Sequence, residues 1–151
     1  ARMTRYVMTV HEAASLVLEA GARMRGGEVF VTKMHALRIS DLAHCMAEIM
    51  VGGRYETREI GSRMGEKLYE ELLSADEVDR AIELERLLVV LPPDEAQFPG
   101  KAARADYPEA VQVRRQWHSG KDTLLTRPEI VAYLREQRAL DEYLSPGALV
   151  R

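Results

Sequence analysis

The sequence predicts a mixed α/β fold, helix-rich, with a small sheet of short strands and flanking helices. Three observations carry that prediction. Apolar residues recur at helical spacing in several stretches, short aliphatic runs are bounded by glycine or proline, and helix-capping sequences stand at the joints.

Thr9-Val10-His11-Glu12 spells a capping box, and Val10, Ala13, Ala14, Val17 and Leu18 follow as an apolar stripe, which predicts a first helix ending at Gly21. Val29-Phe30-Val31 after Gly26-Gly27 predicts a short strand, apolar enough to be buried on both faces. Ser40 is placed to cap a second helix that stops at Gly52-Gly53. Its apolar face would be Leu42, Cys45, Met46, Ile49 and Met50, at i, i+3, i+4, i+7 and i+8. Tyr55 to Ile60 alternates enough for a second strand, and an acidic amphipathic helix from Glu66 to Leu73 would follow Gly65. Ser74-Ala75-Asp76-Glu77 is another capping box, opening a short helical turn. Leu87-Leu88-Val89-Val90-Leu91 reads as a third strand, stopped by Pro92-Pro93 because proline cannot donate to a ladder. Residues 92–108, with Pro92, Pro93, Pro99, Gly100 and Pro108, predict an irregular loop. Thr126-Arg127-Pro128-Glu129 caps a last helix carrying Ile130, Val131 and Leu134, and the tail after Tyr143 is expected to fray.

The 151 residues make one domain at most, long enough to bury a core. A 46% hydrophobic and 30% charged composition is that of an ordinary soluble globular chain. The net charge of −3 offers no basic surface for nucleic acid or anionic lipid. The apolar runs fall far short of the ~20 residues that span a bilayer, so no membrane insertion is expected. A single cysteine excludes an internal disulfide and fits a cytoplasmic location.

Cys45 lies on the apolar face of the second helix, where a buried small hydrophobe is the expected role rather than a nucleophile. His11, His35, His44 and His118 show no metal-ligand spacing, so no metal site is expected. Glu66, Glu70, Glu71, Asp76, Glu77 and Asp79 predict a solvated helix face. The most informative stretch is Arg63-Met64-Gly65-Glu66 and the acidic residues after it. A guanidinium donates two parallel hydrogen bonds to a diphosphate, glycine lets the backbone come close, and a helix N-terminus adds N–H donors. A solvated arginine on a plain turn would carry the same letters.

The neighbouring segments add a resemblance. Gly26-Gly27-Glu28-Val29-Phe30-Val31-Thr32-Lys33, Ile39-Ser40-Asp41-Leu42-Ala43 and Ile60-Gly61-Ser62-Arg63-Met64-Gly65-Glu66-Lys67-Leu68-Tyr69-Glu70 stand in order. They are similar to the C-terminal part of bacterial polysaccharide-biosynthesis UDP-sugar dehydratases and epimerases, of the extended short-chain dehydrogenase/reductase family. Met3-Thr4-Arg5-Tyr6 and Thr9-Val10-His11-Glu12-Ala13 resemble the segment just upstream. The match covers residues 3 to 77, and the Gly-Glu-Lys-Leu-Tyr-Glu spelling leans toward the UDP-N-acetylglucosamine 4,6-dehydratase and 5-epimerase branch of capsule and O-antigen synthesis.

The resemblance implies a substrate-binding C-terminal part that lacks its Rossmann domain. Residues 1–91 would form a nucleotide-sugar-binding region, 92–108 the irregular loop and 109–151 a helical appendage. Trp117-His118-Ser119 ahead of Leu124-Leu125-Thr126 resembles that appendage. Carried over by motif, Arg5 and Arg63 would clamp the diphosphate, Glu66 would accept hydrogen bonds from ribose hydroxyls, and the Val31 to Lys33 edge would lie near the uracil. Met64 stands where the family's pattern has proline or histidine. NAD or NADP would serve the complete enzyme. This chain has no GxGxxG or GxxGxxG, and none of its tyrosines is followed four residues later by lysine. The chain alone is therefore expected to bind no cofactor, hold no catalytic residue and lack activity. A UDP-sugar, UDP-N-acetylglucosamine first, and a Rossmann domain or second copy are the implied partners. The competing readings are a stand-alone nucleotide-sugar-binding module and a protein-interaction module without catalysis.

Overall fold

The computed structural model describes residues 2–93 and 102–144. The chain forms two compact units, each assembled from separated segments. One takes the residues up to Thr9, His35–Glu70 and the residues from Ser119 on; the other takes Val10–Met34 and Glu71–His118. Both units therefore draw on chain from either side of residue 92.

The first unit begins with strand β1 (Thr4–Val7). The second begins with helix α1 (Val10–Arg23), which starts directly after Thr9 and runs through Gly21 rather than ending there. Leu16 on α1 and Phe30 on strand β2 (Val29–Thr32) pack against a cluster containing Ile82, Leu87, Val89 and Tyr107. The strand forms where expected but is not buried on both faces: it pairs with Leu87–Val90 alone, at the sheet edge, and Val29 is 55% exposed. The stripe read from the sequence lies on another face of the helix. Val10 is 88% exposed, Val17 69% and Leu18 75%.

In the first unit, strand β3 (His35–Arg38) pairs antiparallel with β1, Arg5 opposite Leu37. It passes without a linker into helix α2 (Ile39–Val51). Ser40 is not the cap: Arg38 is, in extended conformation with no side-chain cap bond, and Ser40 sits within the first turn. Gly52 ends the helix with φ +62°, a left-handed conformation that glycine adopts without penalty, and its N–H reaches the Glu48 carbonyl at 3.1 Å.

The second unit continues with helix α3 (Ala75–Val78), strand β4 (Ala81–Glu83) and strand β5 (Leu87–Val90). Short strand β6 (Val111–Gln112) completes an antiparallel sheet in the order β2-β5-β4-β6. All four residues of β5 are buried, because the strand is central and covered on both faces. Leu87 and Val89 join one cluster while Leu88 and Val90 join another with Leu73, Val113 and Trp117, as the two-residue period of a strand requires. Leu73 opens the way to α3 through the expected box, with Ser74 N–H donating to the Glu77 carboxylate at 2.8 Å.

Within 92–108, residues 94–101 lie outside the described residues. Ala102 and Tyr107 are buried, and Arg104–Asp106 is a 3₁₀ turn. The Tyr107 hydroxyl donates to Glu28 at 2.7 Å and its ring meets Phe30 edge-on. Burial and then the Glu28 carboxylate push the phenol pKa well above its ordinary value.

Helices α4 (Arg127–Glu136) and α5 (Asp141–Leu144) return to the first unit. The α4 capping box forms as read, with the Thr126 hydroxyl donating to Glu129 at 2.6 Å. Ile130 and Leu134 on α4 pack with Leu37, Cys45 and Leu140. Cys45 is 1% exposed, and burial pushes its thiol pKa up, as an inert core thiol should behave. Of the tail expected to fray after Tyr143, Leu144 is the last residue of α5, and the residues from 145 on lie outside the described ones.

Two sequence expectations fail in one place. Tyr55–Ile60 is not a strand and Glu66–Leu73 is not a helix. From Gly52 through Glu71, Tyr55 is the only residue that is not exposed; of the expected helix only Leu72 and Leu73, at its end, reach a core, too short a stretch to hold a helical face. Gly65 has φ +87° and turns the chain where the helix would start. The six carboxylates therefore do not share a helix face: Glu66 closes a turn, Glu70 meets an arginine and Glu77 caps α3.

Candidate functional site

Arg63-Met64-Gly65-Glu66 is a tight turn. The Glu66 N–H donates to the Arg63 carbonyl at 3.1 Å, with Gly65 supplying the positive φ that the third position of such a turn needs. The Glu66 carboxylate then bends back and accepts the Arg63 N–H at 2.8 Å. These two bonds fix the backbone and leave the Arg63 guanidinium free: among the described residues it has no hydrogen-bond or ion-pair partner. Met64 beside it is fully exposed. An arginine on a rigid turn with its fork unspent is suited to a planar or multivalent anion. The second oxygen of Glu66 remains available as an acceptor.

Arg5 stands on β1 in the same unit and is only 20% exposed in its side chain. Its Nη1 donates to the Thr4 carbonyl at 2.8 Å and its Nη2 to the Lys67 carbonyl at 2.8 Å. Its Nε meets the Glu70 carboxylate at 3.3 Å. Each terminal nitrogen keeps one further N–H for a ligand. Much of this side chain therefore serves to hold Lys67–Glu70, the segment that leaves the Arg63–Glu66 turn.

Around Arg5 lies a second set of polar contacts which the sequence reading did not assign to a site. The Thr4 N–H donates to the Leu68 carbonyl at 2.9 Å. Ser119, fully buried, places its hydroxyl 3.0 Å from that of Thr4 and accepts the Glu70 N–H at 2.9 Å. The Tyr6 hydroxyl donates to the Asp122 carboxylate. The signal in the sequence was the Trp117-His118-Ser119 string, but nothing in it announces a partner more than a hundred residues earlier.

Lys33 belongs to the other unit. Its ammonium sits 2.6 Å from Glu83 and donates to the Glu85 carbonyl at 3.0 Å, an edge-of-sheet tie that engages it fully enough to be a structural contact. Arg5, Arg63 and Glu66 are thus gathered on one unit, and Lys33 on the other.

No cluster of three or more metal-ligating side chains exists among the described residues. A dinucleotide cradle does not fit this chain's described residues either. Every pair of named strands is antiparallel, and the one direct strand-to-helix passage, Arg38 to Ile39, carries no glycine to admit a pyrophosphate. No helix among them is long and apolar enough to cross a membrane.

A family profile described as "Polysaccharide biosynthesis protein" matches residues 1–92. The chain belongs to that family. It is 35% identical over 91 residues to the UDP-N-acetylglucosamine 4,6-dehydratase (inverting) of Campylobacter jejuni, a match covering 60% of this chain and 26% of that protein. It is 44% identical over 96 residues to a Methanocaldococcus jannaschii protein named "Uncharacterized membrane protein MJ1061", covering 60% of this chain and 29% of that one. In three dimensions it resembles the X-ray structure of Pen from Bacillus thuringiensis, with a TM-score of 0.74 and 28% identity, over 91% of this chain and 38% of that one. The chain therefore spans well under half the length of these relatives. As the motifs implied, the chain is of the polysaccharide biosynthesis, extended short-chain dehydrogenase/reductase-like kind.

Proposed function

We propose that this chain is the substrate-binding portion of an NAD(P)-dependent UDP-N-acetylhexosamine 4,6-dehydratase/epimerase of polysaccharide biosynthesis. The observation that carries this reading is the unpartnered Arg63 guanidinium on its closed, glycine-dependent turn, within a chain of this family. In this reading Arg63 donates its fork to the diphosphate, with the remaining N–H groups of Arg5 on the same anion. Each charge-assisted contact contributes roughly 1.5–3 kcal/mol when partly desolvated. Glu66 offers its open oxygen to ribose hydroxyls.

Lys33, on the other unit and already paired with Glu83, is given no contact with the ligand in this reading. The nicotinamide cofactor would supply hydride transfer in the complete enzyme. In this reading this chain's part is to bind and orient the UDP-sugar. A Rossmann domain or a second copy is the expected protein partner, and the cytoplasm the expected location.

The test is isothermal calorimetry with UDP and UDP-N-acetylglucosamine. Arg63→Ala should weaken binding at least about tenfold, close to 1.4 kcal/mol. An unchanged affinity in that variant would remove Arg63 from the diphosphate site.

A further inference from the structure

We infer that Ser119 is a positioning residue for UDP-sugar binding: its buried hydroxyl locks Lys67–Glu70 onto β1 and thereby sets how the Arg63–Glu66 turn is presented. The inference rests on the proposed binding role of that turn. It concerns a residue that lies beyond the span matched by the family profile, which ends at residue 92.

Ser119 engages Glu70 twice, through its own N–H to the Glu70 carbonyl at 2.9 Å and through its hydroxyl, which accepts the Glu70 N–H at 2.9 Å. The same hydroxyl meets Thr4 Oγ1 at 3.0 Å, and Thr4 in turn donates its N–H to the Leu68 carbonyl at 2.9 Å. Arg5 closes the set from β1, on the Lys67 carbonyl and the Glu70 carboxylate. Ser119 and Thr4 are 0% and 6% exposed, whereas every residue from Glu56 to Glu71 is exposed. Four residues after the turn, before the chain reaches the buried Leu73, the exposed segment is therefore held by a buried anchor that is polar. A hydrogen bond in a buried site is stronger and more exacting in direction than one in water, so this anchor fixes geometry as well as attachment. Asp122, three residues after Ser119, accepts from Tyr6 on β1 and ties the same stretch of chain to that strand a second time.

The separation of a positioning role from a merely stabilising one comes from coupling to Arg63. If Ser119 acts through the turn, its removal matters for UDP only while Arg63 is there to make the contact. UDP affinity is measured by calorimetry for the wild-type chain, Ser119→Ala, Thr4→Val, Arg63→Ala and the Ser119→Ala/Arg63→Ala double variant. In parallel, amide hydrogen exchange of the ligand-free proteins is followed at residues 63–70 and 87–90.

Ser119→Ala should weaken UDP binding about fivefold, from loss of directed hydrogen bonds, but change affinity less than about twofold in the Arg63→Ala background. Exchange at Glu70 and the turn should quicken while Leu87–Val90 stays as slow as before. Thr4→Val preserves the shape of that side chain and should act in the same direction, which keeps the test decisive should Ser119→Ala fold poorly. A wild-type chain that does not bind UDP overturns the binding reading together with this inference. A wild type that binds, with Ser119→Ala and Thr4→Val binding equally well, overturns the inference alone. So does a Ser119→Ala loss that is just as large without Arg63.

Discussion

Strand β5 and the segment from Gly52 to Glu71 are both read from the sequence as regular structure, and only one of them is. Leu87–Val90 is apolar at every position, lies between two partner strands and is covered on both faces, so local preference and tertiary context agree. Tyr55–Ile60 alternates and Glu66–Leu73 has helical spacing, but up to Glu71 their apolar members find no core: Ile60 is 72% exposed and Leu68 48%, and only Leu72 and Leu73 beyond them are packed. A periodic pattern predicts an element only where something apolar waits to receive its face. Where nothing does, the chain is held by turns and polar anchors, and its side chains remain available to a ligand.

The contrast is sharpest in the cost of truncation. Leu88→Ala removes a side chain that is 0% exposed from the central strand and should destabilise the protein by about 2–5 kcal/mol, read by chemical denaturation. A loss under about 1 kcal/mol would mean that this sheet does not carry the second unit's stability.

Acid should act on the capped helices next. Hydrogen bonds from the Thr126 hydroxyl and then its N–H hold Glu129 below the ordinary carboxylate pKa of 4.5, and the Ser74 N–H and hydroxyl do the same for Glu77. A folded pKa below the unfolded one contributes stability that is fully present above about pH 4.5 and lost as pH falls through the folded value. Glu129→Ala should therefore be less stable than wild type at pH 7, with the gap narrowing in thermal melts below pH 4.5. A gap that widens on acidification would contradict the capping role.

The smallest effect is expected at Met64. It is fully exposed, so Met64→Ala should shift stability by no more than about 0.5 kcal/mol in the same denaturation assay. A larger loss would show that the turn region is packed in solution and would erase the contrast with β5.

What the sequence made legible follows the same division. The boxes at Ser74 and Thr126, the glycine stop at Gly52, the core role of Cys45 and the strands at Val29 and Leu87 depend on neighbours a few residues away. Strands β1, β3, β4 and β6 went unread because they are short and gain their order from long-range pairing, as in Thr4 opposite Arg38. The α1 stripe was legible as a helix but not as an exposed face, since which side meets β2 is decided by Leu16. At the candidate site, Arg63 and Glu66 were legible as a spaced motif. That Arg5 spends donors on Lys67 and Glu70, and that Ser119 anchors the same segment, are contacts across the fold with no local sequence signature.

The most direct test of the claim that the exposed turn is a diphosphate-binding element is amide hydrogen exchange of this chain with and without saturating UDP. Slower exchange at Gly61–Glu66, absent in Arg63→Ala and with no change at Leu87–Val90, is the predicted result. UDP binding that leaves Gly61–Glu66 exchanging as fast as in the free protein would contradict it.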